Sequence, residues 1–480
     1  MRDTMRVASE AVVEACGSVV DELAAGALGD ERLNARRDRV LAVLERQPDR
    51  GFPDACADDA EVEALYRFLR NPRVSPAAIL APHVAATAAR CAAVGEVLVL
   101  HDTTDMVFAG TAPRVGLTRL GPGRQGFWVH AAVAVSADGL RAPLGVLSLQ
   151  SYGRPTPPVP RPRRNDRARF AAPTKESRRW LAGVTTVRGA VGPATSPIHV
   201  MDRDADSYAT FAALIAHQER FVIRLQHDRC VVAPEGTTER LTASLAQAAV
   251  VCERAVPLAP RQDSGRTLSA RTRHPARARR VATLQVAAQR VDLPRPPHVA
   301  TTAPATLSVH LVWVREREAP PDVEPVDWRL VTTEPVATTD QILRVVDWYR
   351  TRWMIEEYFK ALKTGCAYER RQLESLQTLR VALALLAPIA WRLLLLRHVA
   401  RVAPELSAAV AVTSRHVHLL RATRAGAKLP AVPTVTDVLA AIARLGGHLR
   451  QNGPPGWLVL ARGFQKLQTM ELGWIAATQR

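Results

Sequence analysis

Residues 349–365 read YRTRWMIEEYFKALKTG, a stretch that interleaves two arginines, two glutamates and two lysines with aromatic residues. At ~100° per residue, with Tyr349 as zero, Arg352 falls near ~300°, Glu356 near ~340°, Lys360 near ~20° and Lys363 near ~320°. Ile355, Tyr358, Phe359 and Leu362 occupy the opposite side, at roughly 180 to 280°. The spacing therefore predicts one helix with an apolar back and a polar stripe about 21 Å long. Taken alone, that is also the pattern of an ordinary surface helix with its charges in water. Glu356 is the feature that departs from it. A single carboxylate between an arginine and two lysines suits a metal ligand beside cations that grip phosphate.

Two other stretches place acids comparably. GEVLVLHDTTD (95–105) reads as a buried strand ending at Asp102, and SPIHVMDRDADSYATFAALIAH (196–217) as a strand ending at Asp202 and running into a helix. WVHAAVAVSADGLRAPLGVLSLQSY (128–152) reads as two strands joined at Ala137-Asp138-Gly139. Strands followed by helices, with carboxylates at strand ends, predict an α/β core. Asp102, Asp202 and Glu356 could together hold two divalent cations for phosphoryl transfer. Hard oxygen ligands favour Mg²⁺, with Mn²⁺ the alternative. Aspartate at a strand end also serves as a cap or turn residue, and spacing does not exclude Asp105, Asp204 or Asp206 as the ligands.

The 480-residue chain carries 64 Lys+Arg against 46 Asp+Glu, a formal charge of +18 and a pI near 10.6. Such a balance makes a polyanion, by default nucleic acid, the expected partner. The length predicts several domains. Six scattered cysteines form no C-x-x-C pair, so neither a zinc site nor a disulfide framework is expected, and reduced thiols fit a cytoplasmic protein. The N-terminus has acids inside it and does not read as a signal peptide. The apolar run from Val381 to Trp391 is too short to span a bilayer and reads as a buried helix. Residues 1–75 read as short helices bearing Arg32, Arg36, Arg37 and Arg39. Residues 151–170 hold six arginines and five prolines, so an extended basic loop is expected there, with Arg161, Arg163 and Arg164 as candidate phosphate contacts. From about 226 to 335 the pattern is β-rich; after 341 it is almost wholly helical.

Together these residues resemble a family. The stretches LYRFLRNPRVSPAAI, HDTTD, WVHAAV, KESRRWLA, VMDRDADSYA, ERFVIR, WRLVTTEPV, YRTRWMIEEYFKALKTG and IARLGG are similar, in order, to those of the bacterial cut-and-paste DDE transposases of the IS-four group, near the transposase of the Tn-five-type transposon. Tyr349, Arg352, Glu356 and Lys363 match the group's signature Y-x2-R-x3-E-x6-K.

The resemblance implies a ribonuclease-H-like catalytic core with Asp102, Asp202 and Glu356 as its metal-binding triad. It implies a helical end-reading domain over 1–75, the core over 76–225 and 328–400, a β-rich insertion over 226–327, and a helical dimerisation region over 401–480. It also implies that Trp328 stacks on a flipped base, that Arg224 contacts DNA, and that Tyr349, Arg352 and Lys363, with Lys360 on the same stripe, lie along DNA near the cut. The expected partners are double-stranded DNA at inverted repeats, target DNA and a second copy of the chain. The segment ERQPDRGFPDACADD matches the family's end-reading segment only loosely, so a different end sequence is expected. Two rival functions share these residues: a non-mobile nuclease on the same core, and a DNA-binding protein descended from a transposase.

Overall fold

The computed structural model describes residues 19–110, 112–153, 177–232, 236–258, 278–321, 323–410, 412–449, 451 and 455–478. Ahead of the first strand lie α1 (Val19–Ala24), α2 (Glu31–Arg46), α3 (Phe52–Ala55), α4 (Asp59–Arg70) and α5 (Pro76–Val94). Then come β1 (Glu96–Ala109), β2 (Thr118–Gly121), β3 (Arg124–Ser136), β4 (Pro143–Tyr152), α6 (Ser177–Ala190), β5 (Ser196–Met201), α7 (Tyr208–Ala216) and β6 (Arg220–Arg224). The strand-rich stretch holds β7 (Cys230–Val232), β8 (Thr238–Arg240), α8 (Leu241–Gln247), β9 (Val250–Leu258), β10 (Arg280–Pro294), β11 (Thr306–Arg317) and β12 (Asp327–Thr332). Helices close the chain: α9 (Thr339–Thr351), α10 (Trp353–Lys360), α11 (Leu376–Val402), α12 (Ser414–Arg421), α13 (Val435–Leu445) and α14 (Trp457–Thr478).

Local chemistry sets the helix starts. Asp30 accepts the Arg32 and Leu33 N–H groups at the head of α2, Asp58 accepts Glu61 N–H at the head of α4, and Thr338 and Gln341 form a reciprocal capping box at α9. Asn71-Pro72 ends α4 as expected, because the residue before proline is pushed out of the helical region.

The chain divides into two compact units. The first comprises the described residues of 1–160, 182–197 and 353–480. In it β1 runs antiparallel to β3, with Asp102 opposite Ala131, and β3 also pairs with β2 and β4. Val97 to Leu100 are all buried, so this part of β1 is covered on both faces. Helices α5 and α11 pack on β4, where Trp391 donates to Pro143 O at 3.0 Å. The expectation for the Val381–Trp391 run needs correction on length. Helix α11 has 27 residues and is long and apolar enough to cross a bilayer, as is α5. Its most apolar window is 89% buried inside the protein, so burial, not shortness, explains its composition.

The second unit comprises the described residues of 161–181 and 198–352. Here β5 and β6 are parallel, β6 pairs antiparallel with β12, and β12, β11 and β10 follow as antiparallel neighbours. β7 and β9 pair with β10.

Two sequence expectations about the candidate residues also need correction. Strand β1 does not end at Asp102; its pairing with β3 continues to Ala109 opposite Arg124. The residues after the aspartate are β-favouring, and Met106 and Phe108 are fully buried. Nor do residues 349–365 form one straight helix. Helix α9 stops at Thr351, α10 begins at Trp353, and Ala361–Gly365 forms a π-helical turn closed by Cys366 N–H to Ala361 O at 2.8 Å.

Candidate active site

Asp202 follows β5 directly, at the head of a short 3-10 turn over Arg203–Ala205. Its carboxylate accepts the Tyr349 hydroxyl at 3.1 Å and lies 3.7 Å from Arg352 Nη2. Burial alone would push the Asp202 carboxyl up. The charge of Arg352, the N–H of Arg203, the charge of Arg224 and the Tyr349 hydroxyl outweigh it and hold the carboxyl below its ordinary value. Tyr349 is pushed the other way, to about 12, by burial and by the negative Asp202 beside it, and so remains a donor. Tyr349 and Arg352 are both buried, at 5% and 9% exposure.

Trp328 and Arg224 join this group. Trp328, half-buried on β12, meets the Tyr349 ring edge-on at 5.4 Å, and Arg224 at the end of β6 donates to Asp327 O at 3.0 Å. Asp206 is removed from competition as the ligand. It is buried, accepts the N–H groups of Gln226 and His227 at 2.7 and 2.9 Å, and is ion-paired with Arg229. Its carboxylate is committed to tying the loop after Asp202 to the loop after β6. The spacing of acids in DRDAD carried no sign of that commitment; the arginine five residues after Arg224 was the available signal.

In the first unit, α10 packs on β1, which puts the elements bearing Glu356 and Asp102 against each other. Both carboxylates are half-buried, and Asp102 accepts the Thr103 N–H at 2.7 Å. Beyond α10 the π turn carries Lys363, whose ammonium meets Asp105 and Glu369. An inserted residue in the turn rotates the later side chains away from a regular 100° wheel, so the stripe drawn through Lys363 is not the observed one. Lys360 pairs with Glu357 at 2.6 Å and sits over the exposed Trp353 ring at 5.0 Å. Among the N-terminal arginines, Arg37 is buried at 1% exposure and donates to Ala24 and Gly26 carbonyls, so it builds the helix packing instead of facing a partner. Arg161, Arg163 and Arg164 lie outside the described residues.

Among the described residues no three His, Cys, Asp or Glu side chains form a group arranged to hold a metal. Asp202 is nonetheless held in the ionised state that a carboxylate ligand of a hard divalent ion requires. No described cysteine is paired.

Residues 16–74 match the family described as transposase DNA-binding, and residues 163–391 match the transposase DDE domain. The second match takes in Asp202 and Glu356 and starts after Asp102. Among solved structures, the chain is similar to one described as "Cryo-EM structure of piggyBac transposase synaptic complex with hairpin DNA (SNHP)", at 10% identity and a TM-score of 0.32, over 72% of this chain and 55% of that one. The chain thus spans about half the length of that protein.

Proposed function

This chain is by family a DDE transposase, and on that premise we propose that it catalyses cut-and-paste DNA transposition with Mg²⁺, for which Mn²⁺ can substitute. Its mechanism in this reading is that of the IS-four group and the Tn-five-type transposase. The observation that carries the reading is the environment of Asp202. A half-buried carboxylate is kept ionised by two arginines and a buried tyrosine, and a half-buried tryptophan packs against the ring of that tyrosine.

In this reading Asp102, Asp202 and Glu356 hold the metal ions. Bound divalent ions supply charge stabilisation at the attacking and leaving oxygens of an in-line displacement at phosphorus. Arg352 and Tyr349 hold Asp202 ionised and oriented before DNA arrives. Arg224 and Lys363 contact phosphates and fix the scissile bond, because an error of ~1 Å can cost on the order of 100-fold in rate. Trp328 offers its indole to a base displaced near the cut, offsetting part of the unstacking cost. The helices over 19–70 belong to the DNA-binding match and read the transposon end. The active assembly is a homodimer on paired ends, acting in the bacterial cytoplasm on nucleoid DNA.

The reaction begins with hydrolysis of one strand, which frees a 3′-hydroxyl. That hydroxyl attacks the opposite strand and closes a hairpin; hairpin opening and joining of the 3′ end to target DNA complete transfer. The test is to incubate the protein and Mg²⁺ with a duplex bearing the inverted repeat that flanks its gene. Denaturing gels should show a nick followed by a hairpin. Nicks without hairpin or strand transfer would favour a non-mobile nuclease, and binding without any cleavage would favour a DNA-binding descendant.

A further inference from the structure

The ammonium of Lys363 is already engaged. Its Nζ donates to Asp105 O at 2.5 Å and lies 3.4 Å from Asp105 Oδ1 and 3.3 Å from Glu369 Oε1. The same Glu369 oxygen accepts Val107 N–H at 2.9 Å, so this carboxylate is tied to the backbone of β1. The chain between the two residues is irregular throughout. The π turn gives way to Ala367 at a positive φ of 46°, a conformation unusual for a residue with a Cβ, and then to a 3-10 turn over Tyr368–Arg370. Buried Arg371 anchors the far side, donating to the Pro48 and Cys366 carbonyls at 2.5 and 2.9 Å with its guanidinium over the Phe52 ring. Unfavourable backbone persists where its surroundings over-determine it. The outcome here is that Lys363 and Glu369 meet at one point on β1, beside Asp105.

An ammonium between two carboxylates has the surroundings it would find between phosphate oxygens. We propose that Asp105 and Glu369 form an acidic dock that stands in for a DNA phosphodiester in the DNA-free protein, and that DNA engages Lys363 by displacing it from these carboxylates. The inference rests on the proposed reading of Lys363 as a phosphate contact. It makes Glu369 a positioning residue with two effects. The competing carboxylates hold down affinity for DNA of any sequence, and the fixed Glu369 presents the lysine at one place, so the phosphate that replaces it is placed too.

Glu369→Gln keeps the shape and the acceptor for Val107 N–H while removing the charge. Binding of a random-sequence duplex at low salt should tighten about two- to five-fold, the range for exposed ion pairs. Nicking of end DNA under single-turnover conditions should slow by about tenfold through looser placement. Asp105→Asn removes the other, exposed carboxylate and should tighten duplex binding in the same way. Both gains should vanish in a Lys363→Ala background. If Glu369→Gln changes duplex binding by the same factor with and without Lys363, or if neither carboxylate variant binds tighter, the dock is wrong. If the gains depend on Lys363 but wild-type protein nicks no end DNA, the dock stands and the transposition reading fails.

Discussion

Replacing Arg352 by methionine keeps the length of the side chain and removes the charge 3.7 Å from Asp202 Oδ2. At that distance, with an effective dielectric constant of ~20, the lost attraction is about 4.5 kcal/mol as an upper figure. The Arg203 N–H, Arg224 and the Tyr349 hydroxyl remain, so the carboxyl should rise, with burial now less opposed. A raised pKa means that ionised Asp202, and activity with it, is lost as pH falls through the new, higher value. Single-turnover nicking of end DNA, followed downward in pH, should therefore fall off at a higher pH than in the wild type. Stability has a matching sign. In the wild type the depressed carboxyl contributes stability that is full above its ordinary value and lost as pH falls through the folded value. The variant loses part of that contribution, so the drop in melting temperature should be largest at pH 7 and shrink in acid. A rate lowered by one constant factor at every pH would refute this role and leave Arg352 as a DNA contact alone.

Other contacts carry their own tests. Asp206→Asn leaves half-buried Arg229 without its counter-charge and should cost about 1 to 3 kcal/mol in urea unfolding; a loss under ~1 kcal/mol would show that the loop is held by other means. Glu22, whose burial is outweighed by His83 and Arg90, sits at about 2, so its contribution is full above its ordinary 4.5 and lost between there and about 2. Glu22→Gln should then flatten the acid limb of the stability curve over that window. Changing Arg161, Arg163 and Arg164 together to alanine should lower the salt slope of DNA binding by up to ~3 units if the loop tracks phosphate.

The alternation of hydrophobic strands and helices, the caps and the apolar back of the 349–365 segment were legible because each depends on neighbours in sequence. Ile355, Tyr358, Phe359 and Leu362 are indeed buried, and Asp202 does stand immediately after its strand. What escaped depends on contacts between distant segments. Nothing local shows that β1 runs on past Asp102, because β3 supplies the partner that extends it. The π turn at 361–365 is likewise invisible to a 100° wheel, since one added residue in a turn leaves no compositional mark. The sequence could order Arg352 and Tyr349 on a stripe but could not reveal that both are buried against Asp202, some 150 positions away.

Above all, Asp102, Asp202 and Glu356 are proposed to act together as the metal-binding acids of a DNA-cleaving site. The most direct measurement pairs Mg²⁺-dependent nicking of end DNA with equilibrium binding of the same DNA, for the wild type and for Asp102→Asn, Asp202→Asn and Glu356→Gln. Each amide keeps the size of the side chain and removes the charge that a divalent ion requires. All three variants should bind the end within a few-fold of wild type and nick it at least ~100-fold more slowly. Near-normal nicking by any one of them would contradict the assignment and, for Asp202→Asn, would direct attention to exposed Asp204.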